Sequence, residues 1–342
     1  MRGLKLVLIF FMLLTVTFIQ IQSPSPVLFD TVYAQPDSIK SPQNTTPPTS
    51  TDFENGKFAS VKDSIIQFKP GRVFPDSVWS DSLVNLPNYT LDRVIDNPAF
   101  HVGEKLTFNI RYGIIHAGEA IMEVKEKTVV NDSTPVYRIT TTARSAKFFD
   151  AFYKVRDSVE TYLDASGFFS WKYNKRLREG GYKFDLLVDY DQHRGIANIE
   201  TIRYHKDEPL RIRHRNRYKV LVHKYVADVL AAFYYVRTQD LRVGEPIYMK
   251  NHDNKKVYDL QVIIQKRETI KVKAGKFKSI LVKPRLSGEA IFKQKGELWI
   301  WLTDDEYKIP IKMKSKVAVG SITTELKKIE GVPLPIRAQV KR

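Results

Sequence analysis

No cysteine occurs anywhere in the 342 residues. Its absence excludes disulfides, thiolate metal sites, a cysteine nucleophile and a lipid-modified N-terminal cysteine. Also missing are a Gly-x-Ser-x-Gly elbow, a phosphate-binding glycine loop and any His-x-His or His-Glu-x-x-His pair. His205, His214 and His223 recur every nine residues, a spacing that no metal site requires. The sequence therefore nominates no catalytic residue, no metal ligand and no cofactor, and the expectation is a protein that is not an enzyme. Long apolar runs are confined to the N-terminus; nothing after residue 34 is apolar enough to cross a bilayer.

The first 34 residues have the form of an export signal. Arg2 and Lys5 supply a positive start and LVLIFFMLLTVTFI (6–19) a short apolar stretch. Val32-Tyr33-Ala34 then offers small or aliphatic side chains where a signal peptidase reads. An uncleaved N-terminal anchor is the rival reading. The expected location is the periplasm or cell envelope, where a chain without disulfides draws its stability from burial. Its 55 Lys and Arg exceed its 38 Asp and Glu, a net charge of +17. That balance favours anionic partners, namely phospholipid headgroups, lipopolysaccharide or acidic glycans, and peripheral contact with a membrane. Export argues against nucleic acid.

Residues 35–99 read as a polar, largely disordered leader. Between 35 and about 60, Pro, Ser, Thr, Asn and Asp leave almost nothing to bury. Asp-Ser-aliphatic triplets recur there, which makes Ser38, Ser64, Ser77 and Ser82 candidate O-glycan acceptors, although Asp-Ser is equally common turn chemistry.

Residues 100–342 read as a single β-rich domain. Apolar and polar residues alternate at 106–112, 120–126, 136–143, 153–163, 168–174, 182–190 and 197–204. The habit resumes at 247–250, 257–273, 277–285 and 291–294, with turn residues such as Gly180-Gly181 between strands. So many short strands predict a mostly β fold, an antiparallel meander curled into a barrel or half-barrel with one inserted helix. The helix is DVLAAFYYVRTQDL (228–241): a capping Asp228, then Val229, Leu230, Phe233 and Val236 at helical spacing. It is either a core plug or a lid over a pocket.

GELWIWLTDDEYKIPIKMKSKVAVGSITTEL (296–326) reads as two hairpins in series. With a turn at 303–306, Leu302 faces Tyr307, Ile300 faces Ile309 and Leu298 faces Ile311 on the apolar side. On the other side Trp301 meets Lys308, Trp299 meets Pro310 and Glu297 meets Lys312. A second turn at Val319-Gly320 sets Val317 against Ile322, Met313 against Leu326 and Lys314 against Glu325. Asp304, Asp305 and Glu306 then occupy an exposed tip, where nothing desolvates a carboxylate. Trp299 and Trp301 point away from the apolar face, either to cover a second buried surface or to form an exposed ligand platform.

RIRHRNRYK (211–219) is the strongest charge feature. As a strand it lines up Arg211, Arg213, Arg215 and Arg217 on one face, with Arg203 nearby. Such a row is a cradle for phosphate or carboxylate groups, or an edge strand protected by charge.

FHVGEKLTFNIRYG (100–113), AGEAIMEV (117–124), DVLAAFYYVR (228–237) and GELWIWLTDDE with the following Ile309-Pro310 resemble an exported bacterial family. It is known only as domain of unknown function 3108, and the resemblance spans about residues 100–330. That family has no agreed activity, so no catalytic residue carries over. Its β-rich plan is more loosely similar to the half-barrels of periplasmic lipoprotein carriers such as LolA and LolB. The expectation is a non-enzymatic envelope protein that binds a hydrophobic or anionic amphiphilic ligand, or a lipidated partner. Phe233, Tyr234 and Tyr235 would line the cavity, and Arg211, Arg213, Arg215 and Arg217 would meet the headgroup. The alternatives are an interaction protein with a filled barrel that contacts envelope glycans, and a glycan hydrolase, which a pair of buried acids in a cleft would favour.

Overall fold

The computed structural model describes residues 65–286, 297–316 and 320–341. Three short strands, β1 (Ile66–Gln67), β2 (Val73–Pro75) and β3 (Val84–Asn85), come first. A meander follows: β4 (Lys105–Tyr112), β5 (Ile115–Val130), β6 (Thr134–Ser145), a short helix α1 (Lys147–Tyr153), β7 (Arg156–Asp164), β8 (Ser170–Glu179), β9 (Tyr182–Asp191), β10 (Ile196–Tyr204) and β11 (Ile212–Leu221). Helix α2 (Val229–Thr238) interrupts it before β12 (Ile247–Asp253), β13 (Lys256–Val272), β14 (Gly275–Leu286), β15 (Leu298–Thr303), β16 (Pro310–Lys316) and β17 (Ser321–Glu330).

Fifteen strands form one antiparallel sheet in the order β12 to β17, then β4 to β11, then β2. The period-two pattern works as expected: Leu106, Phe108 and Ile110 of β4 are buried on one face, as are Val159, Leu163, Tyr173 and Leu177 of β7 and β8. The expected barrel is not closed, because no strand pairing joins β11 to β12. The reason lies in the connection between them. The chain leaving β11 turns inward through this seam, and Ala227 takes the edge hydrogen bonds of β12, donating to Lys250 O (3.1 Å) and accepting from His252 N (2.9 Å). Side chains span the rest: the Tyr218 hydroxyl bonds Asn254, and the Lys255 ammonium sits 5.0 Å above the Tyr218 ring.

Two boundaries differ from the sequence reading. The fold begins near residue 65, not 100: β2 pairs with Tyr218–Val220 of β11, and Phe74, Ile66 and Val84 are buried around it. These apolar residues are too sparse to show a period, yet each fills a place against the sheet. The strand expected at 153–163 starts only at Arg156, because 147–153 forms α1. Phe149 and Tyr153 of that helix pack on Ile110, Ala117, Val155 and Ile322. Ser38, Ser64, the strand at 291–294 and the pair Val317–Ile322 lie outside the described residues or depend on them. Ser77 and Ser82 are exposed.

Candidate functional site

Helix α2 is the plug. Leu230, Ala231, Ala232, Phe233, Tyr234, Val236 and Arg237 are all buried, so little of its surface meets water. Its N-terminus is capped as the sequence predicted: Asp228 Oδ1 accepts from Leu230 N (2.8 Å) and Ala231 N (2.9 Å). Its other oxygen accepts from Thr161 Oγ1 and Ser170 Oγ, both at 2.6 Å, which ties the helix to β7 and β8. At the far end the buried Arg237 forms a fork on Glu104, with both bonds 2.7 Å, and donates to Ala99 O at 3.0 Å. Nothing in the local pattern marks Glu104 and Arg237, 133 residues apart, as partners.

One face of α2 leaves space. Val229, Ala232, Phe233 and Val236 face Leu260 and Val262 of β13, Val282 and Pro284 of β14, and Leu298, Ile300 and Leu302 of β15 across an apolar cavity of about 50 Å³. Of the three expected lining residues, only Phe233 reaches it. Tyr234 is fully buried in the core, 4.8 Å from the Phe100 ring and under Arg237. Tyr235 is half-buried beneath the Arg93 guanidinium, 5.0 Å away.

Elsewhere in the interior, polar groups of β7, β8 and β12 are buried among apolar neighbours, which the sequence did not reveal. Lys175 of β8 bonds Asp253 at 2.9 Å, and the Tyr190 hydroxyl meets His252 Nδ1 at 3.0 Å. Burial, reinforced by Lys175, pushes His252 down to about 4. Further along, Asp157 and Glu179 share the interior, 4% and 1% exposed. Asp157 accepts from Arg178 N at 2.6 Å, while neither Glu179 oxygen has a hydrogen bond of good geometry among the described residues. Burial raises Asp157 to about 7; burial and then the Asp157 charge raise Glu179 to about 8. Glycan hydrolysis needs one acid and one ionised carboxylate; here both groups are shifted upward, and neither lines the cavity under α2.

The tandem hairpins keep their expected faces and change their register. Ile300 lies opposite Met313, Trp301 opposite Lys312 and Trp299 opposite Lys314, four residues beyond the expected pairing, with a bulge before Leu302–Pro310. In the second hairpin Glu325 opposes Lys312, not Lys314. Outside the bulge an even shift preserves which side each residue faces, and Ile300, Ile309 and Ile311 remain together in the core; at the bulge Pro310, expected against Trp299, is buried opposite Leu302 instead. The loop sets the register. Asp305 accepts from Thr303 Oγ1 (2.7 Å), Tyr307 N (3.2 Å) and Lys308 N (3.3 Å), and its second oxygen accepts from Ala338 N (3.0 Å). The acidic tip is thus half-buried and organised rather than exposed.

Trp299 and Trp301 are half-buried on the outer face. Trp301 lies across from the buried Leu281, donates to Glu268 Oε1 at 2.9 Å and has Lys312 over its ring. Lys283 covers Trp299. These contacts occupy both rings, which favours a second covered surface over a free platform.

Residues 211–217 of the arginine segment are exposed, while Tyr218 is buried and Lys219 half-buried. Arg215 and Arg217 both reach Glu200, at 3.3 and 2.9 Å, and Arg211 stands 3.8 Å from Asp207. Arg213 has no acidic partner among the described residues. Arg203 does not join the row; it stacks 3.7 Å above Tyr182 on the other face. Because β2 covers only 218–220, residues 212–217 form an edge. None of the four arginines lines the cavity under α2, so headgroup and tail contacts are not brought into one site.

No curated protein matches this chain. Among solved structures, a β-barrel-like protein of domain of unknown function DUF1849 from Brucella abortus is similar at TM-score 0.44 and 10% identity, over 68% of this chain and 98% of that one. A protein described as exported, with a YmcC-like fold, from Bacteroides fragilis gives 0.29 and 8% over 69% and 99%. A protein described as a lipoprotein from Parabacteroides distasonis gives 0.30 and 11% over 70% and 99%. Residues 107–327, from β4 into β17, match the family described as protein of unknown function DUF3108, and the chain belongs to that family.

Proposed function

We propose that this protein is a non-enzymatic interaction protein of the cell envelope, with a filled interior as scaffold and a basic surface that holds anionic groups. The groups in question are the phosphates and carboxylates of envelope lipids or glycans. One observation carries the reading: α2 occupies the interior, with an apolar space of about 50 Å³ on one of its faces among the described residues, while cations stand exposed on the edge of β11. Residues 1–64 hold five basic and five acidic side chains, so the whole excess of +17 belongs to residues 65–342. Each cation held near an anionic surface contributes about 1 kcal/mol, roughly fivefold in affinity.

Binding to lipopolysaccharide and to anionic vesicles at rising salt tests this. Replacing Arg211, Arg213, Arg215 and Arg217 by Gln should weaken binding at low salt by about several hundredfold and flatten its salt dependence. Unchanged binding would refute the reading. A second reading, uptake of an apolar chain beneath α2, is favoured by the wholly apolar lining of the cavity. As it stands the space is about a third of the 150 Å³ that holds benzene in an engineered core. Lipid extracted from protein purified out of the envelope would support this reading, and Ala232→Leu should then abolish the uptake.

A further inference from the structure

We infer that the end of the sheet carrying α1 docks on an anionic phospholipid bilayer, inserting Phe148, Phe152 and Ile114 among the headgroups. The inference rests on the basic-surface reading and adds to it the partner, the orientation and the inserting residues.

Antiparallel alternation places the β4–β5 turn at 113–114, helix α1, the β8–β9 turn at 180–181 and the β10–β11 loop at 205–211 at one end of the sheet. Contacts make this end continuous. Ala146 N donates to Ala117 O (2.9 Å), Gly180 N donates to Lys154 O (2.8 Å), Gly180 lies against the Tyr153 ring, and Gly181 lies against Lys206. Large apolar side chains stand out from it. Ile114 is 88% exposed, Phe148 69% and Phe152 64%, with Ile115, Leu210 and Ile212 also exposed.

Helix α1 needs neither outward phenylalanine for its own packing. Phe149 and Tyr153 face the small core beneath, while Phe148 and Phe152 project away with ring centroids 5.6 Å apart. Isolated exposed apolar residues need no explanation, but several gathered at one end with a polar rim mark a contact surface.

The rim is cationic. Residues 144–156 and 205–217 carry nine basic side chains against three acidic ones. Arg144 and Arg156 are neutralised by Glu119 and Asp150, whereas Lys147, Lys206 and Arg213 make no ion pair among the described residues. Apolar side chains ringed by Lys and Arg suit a bilayer interface, where the former enter the acyl boundary and the latter meet phosphate. A second copy of this chain is a poorer occupant, because a two-fold contact would set the same cations against one another.

Phe152→Trp supplies a probe local to α1, read against the parent with its native tryptophans. On vesicles of phosphatidylglycerol and phosphatidylcholine its emission should shift to the blue and be quenched by brominated lipid. Separately, the double variant Phe148→Ser with Phe152→Ser should keep the parent unfolding midpoint. Its vesicle affinity should fall about tenfold or more at both low and high salt. Vesicle binding unaffected by the serines, with no shift at residue 152, overturns insertion and leaves the basic-surface reading standing. Self-association without vesicles that the serines abolish overturns it in favour of an interface between copies. Equal binding to pure phosphatidylcholine overturns the anionic part of the inference. No binding to either vesicle at low salt overturns the inference, while binding to lipopolysaccharide decides the basic-surface reading.

Discussion

On one side α2 faces Leu260, Val262, Val282, Ile300 and Leu302, and on the other its ends are held by Asp228 with Thr161 and Ser170, and by Arg237 with Glu104. The first contact is a matter of volume. Any apolar side chain of suitable size satisfies it, and here the fit leaves a gap. The second is a matter of partners, since each buried polar group requires its own complement. The helix is positioned by its polar ends and only cushioned by its apolar face, so the two kinds of contact should respond differently to substitution.

The sharpest contrast comes from Arg237. Arg237→Ala leaves Glu104 buried and unpaired, and should cost about 3–5 kcal/mol in urea unfolding. Replacing both residues by apolar side chains of similar volume should cost much less, and equal losses would show that packing, not charge, is what matters there. Asp228→Ala removes the cap and strands Thr161 and Ser170, for an expected loss of about 2–3 kcal/mol. Asp228→Asn, which can still cap, should lose less.

The buried acids Asp157 and Glu179 should also be visible in the pH dependence. Asp157 and Glu179 are held protonated in the fold, at about 7 and about 8, and ionise near 4 once unfolded. The native state therefore binds more protons than the unfolded chain between these limits, and stability falls as pH rises from about 4 to about 8. The slope per group is at most about 1.4 kcal/mol per pH unit. Melting temperatures of Asp157→Asn with Glu179→Gln should lack this decline; an unchanged profile would place the titration elsewhere. The smallest effect has the opposite sign. Ala232→Leu should fill the cavity under α2 and add up to about 1 kcal/mol, from roughly 24 cal/mol for each Å³ of void removed. A loss instead would mean the wall cannot accept the extra volume.

Much of this was legible in the residues and some was not. Helix α2 and its cap could be read because Asp228 and the apolar spacing are neighbours in the chain. The faces of β15 and β16 could be read because parity depends only on alternation. Their register could not, since it is set by Asp305 binding backbone amides two and three residues on and Ala338 beyond. The alternation of β7 extends back to Tyr153, the last residue of α1, so the pattern starts the strand three residues early and gives no sign of the helix before it. The acids Asp157 and Glu179 looked like ordinary strand carboxylates; only the pairing of β7 with β8 turns both inward.

The sequence by itself determined a basic, cysteine-free, mostly β chain with one buried helix, because composition and residue period are local properties. Only the tertiary structure decided that the sheet stays open at the seam where α2 enters, that Lys175, Asp157 and Glu179 are buried among apolar neighbours, and that exposed phenylalanines share an end with cations that make no ion pair among the described residues. Those facts depend on which strands lie side by side, and strand neighbours are chosen by the hydrogen bonds and volumes of the whole sheet.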